Sequence, residues 1–186
     1  DGQQVAFQWC AEGASDNCDI YIKQIGEEPP FRLTSDPAVD SNPAWSPDGR
    51  FIAFLRELSA DRWGLMLVPQ RGGRERLLDE LNVTAWRGLP TRGPYLCWTP
   101  DSKWLVVPSA KPGRQAQGLL LFSAETLGSR RLTTPPGGSF DTMPAFSPDG
   151  RILAFTRATG GAKQMWFLRL GKDYEQQGEP ERVALS

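Results

Sequence analysis

Short apolar runs recur along this chain, each bounded by turn-forming residues. Counted from an aspartate at Asp1, Asp48, Asp101 and Asp149, the same downstream columns read Val5-Ala6-Phe7, Ile52-Ala53-Phe54, Leu105-Val106-Val107 and Leu153-Ala154-Phe155. Consecutive apolar positions predict a strand buried on both faces. Its middle column is always small or slim, so a neighbouring unit is expected to approach most closely there. A second apolar run follows a polar loop: Ile20-Tyr21-Ile22, Leu65-Met66-Leu67, Leu119-Leu120-Leu121 and Met165-Trp166-Phe167. A third carries Arg32-Leu33-Thr34, Arg76-Leu77-Leu78, Arg131-Leu132-Thr133 and Arg182-Val183-Ala184. The last ends in Trp45, Trp98 or Phe146. Four short strands per unit, separated by turns, read as all-β. No stretch sustains a helical period, and Leu77–Ala85 is the best candidate for a brief helical turn.

The four aspartates lie 47, 53 and 48 residues apart. That period suits a four-stranded antiparallel propeller blade. The expectation is an all-β propeller region over 1–186, about four blades, with repeats at approximately 1–47, 48–100, 101–148 and 149–186. The innermost strand is complete in three copies, and the chain opens on Asp1 rather than Met. A part of a larger propeller is therefore expected, with a closed four-blade ring as the alternative. An open arc would expose apolar edges and favour self-association.

Each unit turns on one motif: PAWSPDGR at 43–50, PAFSPDGR at 144–151 and a blurred LCWTPDSK at 96–103. Pro47 and Pro148 preset φ for the first central position of a type I turn. Asp48 and Asp149 suit the second, and Gly49 and Gly150 accept positive φ as the chain re-enters a strand. The upstream aromatics Trp45, Trp98 and Phe146 are expected to pack between units as wedges. The motif is thus read as structural. In the third copy Ser102 replaces glycine, which suggests a less strained turn or a drifted blade.

Composition narrows the function. The chain has 186 residues, a net charge of −1 and no histidine. No electrostatic footprint for nucleic acid is visible, and a Ser-His-Asp triad, a Cys-His dyad or a His-based metal site is impossible within the chain. No catalytic residue, metal site or cofactor is expected. The first residues show no signal-peptide pattern, and no apolar run is long enough to span a bilayer. Cys10 and Cys18 flank a polar loop and could face each other across a hairpin. The demanding geometry of a disulfide favours reading them, with Cys97, as small buried hydrophobes.

Ligands of propellers meet the loops entering the innermost strands, here 34–42, 79–93 and 133–143. Asp36, Asp40 and Asp141 could line a channel mouth there and bind a cation or a basic peptide. The favoured alternative has Asp40 and Asp141 bonding nearby backbone N–H groups. Asp16, Asn17 and Asp19 lack the glycine and glutamate of a calcium loop. The Asn82-Val83-Thr84 sequon is read as chance, and Arg50, Lys103 and Arg151 as solvated edge charges.

PAWSPDGRFIAF and PAFSPDGRILAF resemble the WD-like propeller repeat of TolB and its relatives, and Asp40 and Asp141 match that repeat's D-x-x-P-A-[WF]-S-P-D-G pattern. The third copy departs from it, with Gly93 and Ser102. The stretch 19–49 also looks like the propeller half of bacterial regulators in which a winged helix-turn-helix domain of the CadC kind, or a serine/threonine kinase domain, precedes the blades. The resemblance implies a non-catalytic module that binds a protein, peptide or small ligand for an attached effector. It implies no direct nucleic-acid contact by this segment. The alternatives are the substrate-filtering propeller of a prolyl oligopeptidase-type serine peptidase and a periplasmic TolB-type envelope partner. A bacterial setting follows, cytoplasmic or periplasmic.

Overall fold

The computed structural model describes residues 2–10, 17–26, 29–82, 95–109, 117–126 and 128–184. Among them the chain forms four antiparallel sheets. The first holds β1 (Gln4–Cys10), β2 (Cys18–Gln24) and β3 (Phe31–Arg32). The second holds β4 (Asp40–Trp45), β5 (Phe51–Ser59), β6 (Arg62–Pro69) and β7 (Arg76–Asn82). The third holds β8 (Cys97–Trp98), β9 (Trp104–Ser109), β10 (Gly118–Ser123) and β11 (Ser129–Arg131). The fourth holds β12 (Ser139–Phe146), β13 (Ile152–Thr159), β14 (Ala162–Leu170) and β15 (Gln176–Arg182). Strands follow one another in chain order within every sheet, as expected of an all-β propeller blade. The second, third and fourth sheets start at the strand before the turn, so they straddle the sequence repeats counted from Asp.

The chain resolves into two compact units, residues 1–81 and 82–186. Each unit is held by one core between its two sheets. In the first, Ile20, Ile22 and Leu33 of one sheet meet Ile52, Phe54, Met66 and Val68 of the next. In the second, Leu119, Leu121 and Leu132 meet Leu153, Phe155, Leu168 and Leu170. The same sequence columns therefore build both cores. Of the small column, Ala6 packs against the first core and Val106 belongs to the second. Side chains at both faces of β5 are wholly buried, which is why Ile52 to Leu55 run apolar without alternation.

The wedge residues are placed unequally. Trp98 is buried, while Trp45 and Phe146 are half-buried against the first and second cores. The helical turn expected at Leu77–Ala85 is instead the edge strand β7 as far as Asn82; residues 83–85 lie outside the described residues. Pairing beside β6 and burial of Leu78 and Leu81 decide this against local helix preference. Cys10 and Cys18 are joined by a disulfide, so the reading of them as buried thiols is corrected. They are direct partners in the β1–β2 register, which brings their Cα atoms to 4.0 Å without displacing either strand.

Candidate ligand-binding site

The Ser-Pro-Asp-Gly turn closes on itself. Gly49 N–H donates to Ser46 O at 2.8 Å, the bond of a four-residue turn. Ser46 Oγ donates to Asp48 Oδ1 at 2.6 Å and accepts from Phe51 N–H at 3.0 Å. Arg50 N–H adds a bond to Asp48 Oδ1 at 3.1 Å. The copy at Ser147–Ile152 repeats every one of these contacts, from Ser147 Oγ to Asp149 at 2.6 Å to Ile152 N–H on Ser147 Oγ at 2.9 Å. So does Thr99–Trp104, with Thr99 Oγ1 on Asp101 at 2.6 Å. Gly49 and Gly150 sit at φ 74° and 72° as the motif requires, and Ser102 occupies the same well at φ 62°. The third turn is thus not relaxed. A serine there carries the strain that glycine avoids.

In the first and last of these turns the contacts favour the ionised carboxylate. Asp149 is kept below its ordinary range by the Ser147 hydroxyl and the Arg151 N–H. For Asp48 burial acts upward, but the bonds from Ser46 and Arg50 outweigh it and the carboxyl again falls below its usual value.

Asp40 and Asp141 have no exposed surface, so they do not line a channel mouth, and side chains rather than nearby backbone N–H groups engage them. Arg56 reaches Asp40 in a fork, Nε to Oδ1 at 2.7 Å and Nη2 to Oδ2 at 2.8 Å. Arg157 grips Asp141 the same way, at 2.7 Å and 2.9 Å. A threonine from the preceding sheet completes each group. Thr133 Oγ1 donates to Asp141 at 2.6 Å while accepting Leu119 N–H at 2.9 Å. Thr34 bonds Asp40 and accepts Ile20 N–H at 3.0 Å. A bulge after each aspartate puts Asn42 and Met143 at φ 53° and interrupts the register, with the aspartate still facing its arginine.

Asp36 is different. Its carboxylate is partly exposed, accepts Ala38 N–H at 2.9 Å and lies 3.3 Å from Arg56. Glu75 binds the same arginine at 2.6 Å. Burial acts against the charge on Arg56, but its bonds to Asp40 and Glu75 outweigh that and hold the guanidinium charged.

Two further features bear on chemistry. Burial pushes the Cys97 thiol up to about 12, so it is no nucleophile at neutral pH. Within the second unit, a cleft of about 560 Å³ opens between the turns at Asp101 and Asp149 and the segment Gly171–Gln177. Arg151, Lys172 and Tyr174 line it. Asp173 and Tyr174 hold it in shape at φ 54° and 60°, a left-handed pair without glycine. The Tyr174 ring stands edge-on to Phe146 at 5.6 Å, and burial raises its phenol above the ordinary value. Sequence periodicity missed this cleft, because its segment belongs to no shared column. Among the described residues no group of three or more metal-ligating side chains is present. Asp16, Val83, Thr84 and Gly93 lie outside the described residues, and Asp19 instead pairs with Arg32 at 2.5 Å.

Comparison with known proteins bears on the fold. The TolB structure from Acinetobacter baumannii superposes with a TM-score of 0.74 at 19% identity, covering 98% of this chain and 42% of that one. The chain carries the TolB-like β-propeller fold. The Tol-Pal system protein TolB of Nitratidesulfovibrio vulgaris is 31% identical over 143 residues, 75% of this chain and 28% of that protein. A prolyl endopeptidase structure also matches, with a TM-score of 0.64 at 17% identity over 94% of this chain and 28% of that one. No protein-family model matches. The chain spans between 25% and 38% of the length of the curated bacterial relatives it matches.

Proposed function

We propose that this TolB-like propeller segment is a non-catalytic binding module, a sensor or scaffold that engages a protein, peptide or small ligand for an attached bacterial effector domain. One observation carries the reading. The charged groups of the repeat are engaged within the fold: Asp40 and Asp141 with Arg56 and Arg157, and the turn aspartates with their own loops. None forms a nucleophile–base pair. What remains open is the polar cleft around Tyr174 and the half-exposed Asp36 loop. The Cys10–Cys18 disulfide supports an oxidising compartment, which for a bacterial chain is the periplasm.

The likeness to a prolyl endopeptidase favours a second reading, in which the segment filters substrates for a peptidase domain elsewhere in the parent. The sequence of the parent separates the two. A winged helix-turn-helix or kinase domain upstream is expected. A downstream G-x-S-x-G followed by a histidine, with hydrolysis of proline-containing peptides by the purified parent, would overturn the binding-module reading.

A further inference from the structure

The first and last Ser-Pro-Asp-Gly turns agree bond for bond except at one arginine. In the first, Arg50 turns its guanidinium back on the loop, Nε to Asp48 Oδ2 at 2.6 Å. In the last, Arg151 bonds Asp149 through its backbone N–H, at 3.1 Å, and its guanidinium forms no ion pair among the described residues.

The segment beside each turn differs too. Both turns hold the start of the next connection alike, Gln70 N–H on Arg50 O at 3.1 Å and Leu170 N–H on Arg151 O at 2.8 Å. In the first unit that connection is a tight Gly72-Gly73 bend, closed by Gly72 N–H on Pro69 O at 2.9 Å. In the second it runs through Lys172, Asp173 and Tyr174 and reaches back to the third sheet. Arg130 of β11 donates to the Asp173 carbonyl, and the Tyr174 phenol bonds Thr99 and Asp101. Gly150 makes room for the ring, because a methyl there would stand 3.3 Å from it. Both left-handed residues are thus fastened, which sets the wall of the cleft before anything enters it.

The charges of the cleft are unequally engaged. Asp101 Oδ1 already accepts Thr99 Oγ1 and Lys103 N–H, and Asp149 Oδ1 accepts Ser147 Oγ and Arg151 N–H. Arg151 and Lys172 line the same cleft, and among the described residues neither side chain is in a salt bridge. An entering lysine would meet acids already bonded and two cations. A phosphate would face three carboxylates, with Asp173 added to the other two. A single carboxylate answers both cations with the least repulsion. The Gln177 side chain, folded over Gly171, adds an amide suited to a peptide main chain.

We propose that this cleft is a peptide-docking site that takes one acidic side chain, aspartate or glutamate, on Arg151 and Lys172. The inference rests on the binding-module reading and gives that reading a place and a ligand class.

The test follows amide NMR spectra of the whole chain during titration with acetylated, amidated peptides Gly-Gly-X-Gly-Gly, where X is glutamate, glutamine or lysine. The glutamate peptide is expected to shift the amides of residues 149–151 and 170–174 saturably. It should bind about tenfold more tightly than the other two, the product of two exposed ion pairs. Arg151→Gln and Lys172→Gln should each weaken it about threefold, while Arg50→Gln leaves it unchanged. Both cleft cations are exposed, so these variants keep the fold. An equal response to the three peptides would overturn the site, as would saturable shifts confined to other residues. The same shifts from inorganic phosphate at equal concentration would overturn the peptide assignment. The binding-module reading is decided separately, by the sequence of the parent, so failure of the cleft leaves it standing.

Discussion

The two buried aspartate–arginine forks share a register and differ in what surrounds them. Around Arg56 the neighbours are acids: Glu75 at 2.6 Å and Asp36 at 3.3 Å join Asp40 on one guanidinium. Both guanidinium groups lie over a ring of their own strand, Phe54 at 5.4 Å and Phe155 at 5.5 Å, but Arg157 adds a second ring, Trp166 at 4.6 Å, where Arg56 adds acids. Beyond the shared aspartate and ring, one site surrounds its cation with extra negative charge near water, while the other adds an indole face. The repeat therefore fixes the fork and leaves its surroundings free to diverge. In the first unit Asp36 and Glu75, unlike Asp40, keep part of their side-chain surface exposed.

Removing an arginine should have the largest effect. Arg56→Met strands three carboxylates and is expected to cost about 3–5 kcal/mol, with Arg157→Met at the lower end of about the same range. Urea unfolding of both measures the difference, and equal losses would erase the contrast drawn above. Replacing both members of the second fork, Asp141→Leu with Arg157→Met, should cost far less than the arginine change alone, because no charge is left buried. Next comes Thr133→Val, which frees the Leu119 N–H and one side of Asp141 and should cost about 1–3 kcal/mol in the same assay.

Ser102→Gly should stabilise by about 1 kcal/mol by removing a left-handed serine, while Gly49→Ser should destabilise by about as much. Thermal melts of the two variants check the opposite signs. The smallest effect is on pH dependence. Because the folded-state values of Asp48 and Asp149 lie below their unfolded ones, the stability they add is fully present above the ordinary carboxylate range. It is lost as pH falls through the folded values. Asp149→Asn should flatten that acid limb in melting temperatures measured from about pH 2 to 5.

The turn and the strand columns were legible, because each depends on residues close in sequence. The forks were not. Asp40 was matched to a repeat pattern, but its partner lies 16 residues away across a strand pairing. A signal did exist in the parallel columns Asp40/Arg56, Asp141/Arg157 and Gly93/Ser109, and in the threonine that precedes each fork. The disulfide escaped for a similar reason: it depends on the register of β1 against β2, which no single residue announces. Ser102 misled because a missing glycine suggests a relaxed turn, whereas the hydrogen bonds of Thr99 and Asp101 are strong enough to impose the same geometry on serine.

The three four-stranded sheets straddle the sequence repeat, each beginning one strand before the aspartate from which the repeat is counted. A gene duplication that copies one repeat therefore copies three strands of one sheet and the first strand of the next. The new copy arrives already stitched to both neighbours. Its fork, however, is divided among segments on either side of the cut: threonine and aspartate before it, arginine after it. Growth by duplication preserves the backbone pattern automatically but conserves the charge pairing only when adjacent copies are compatible.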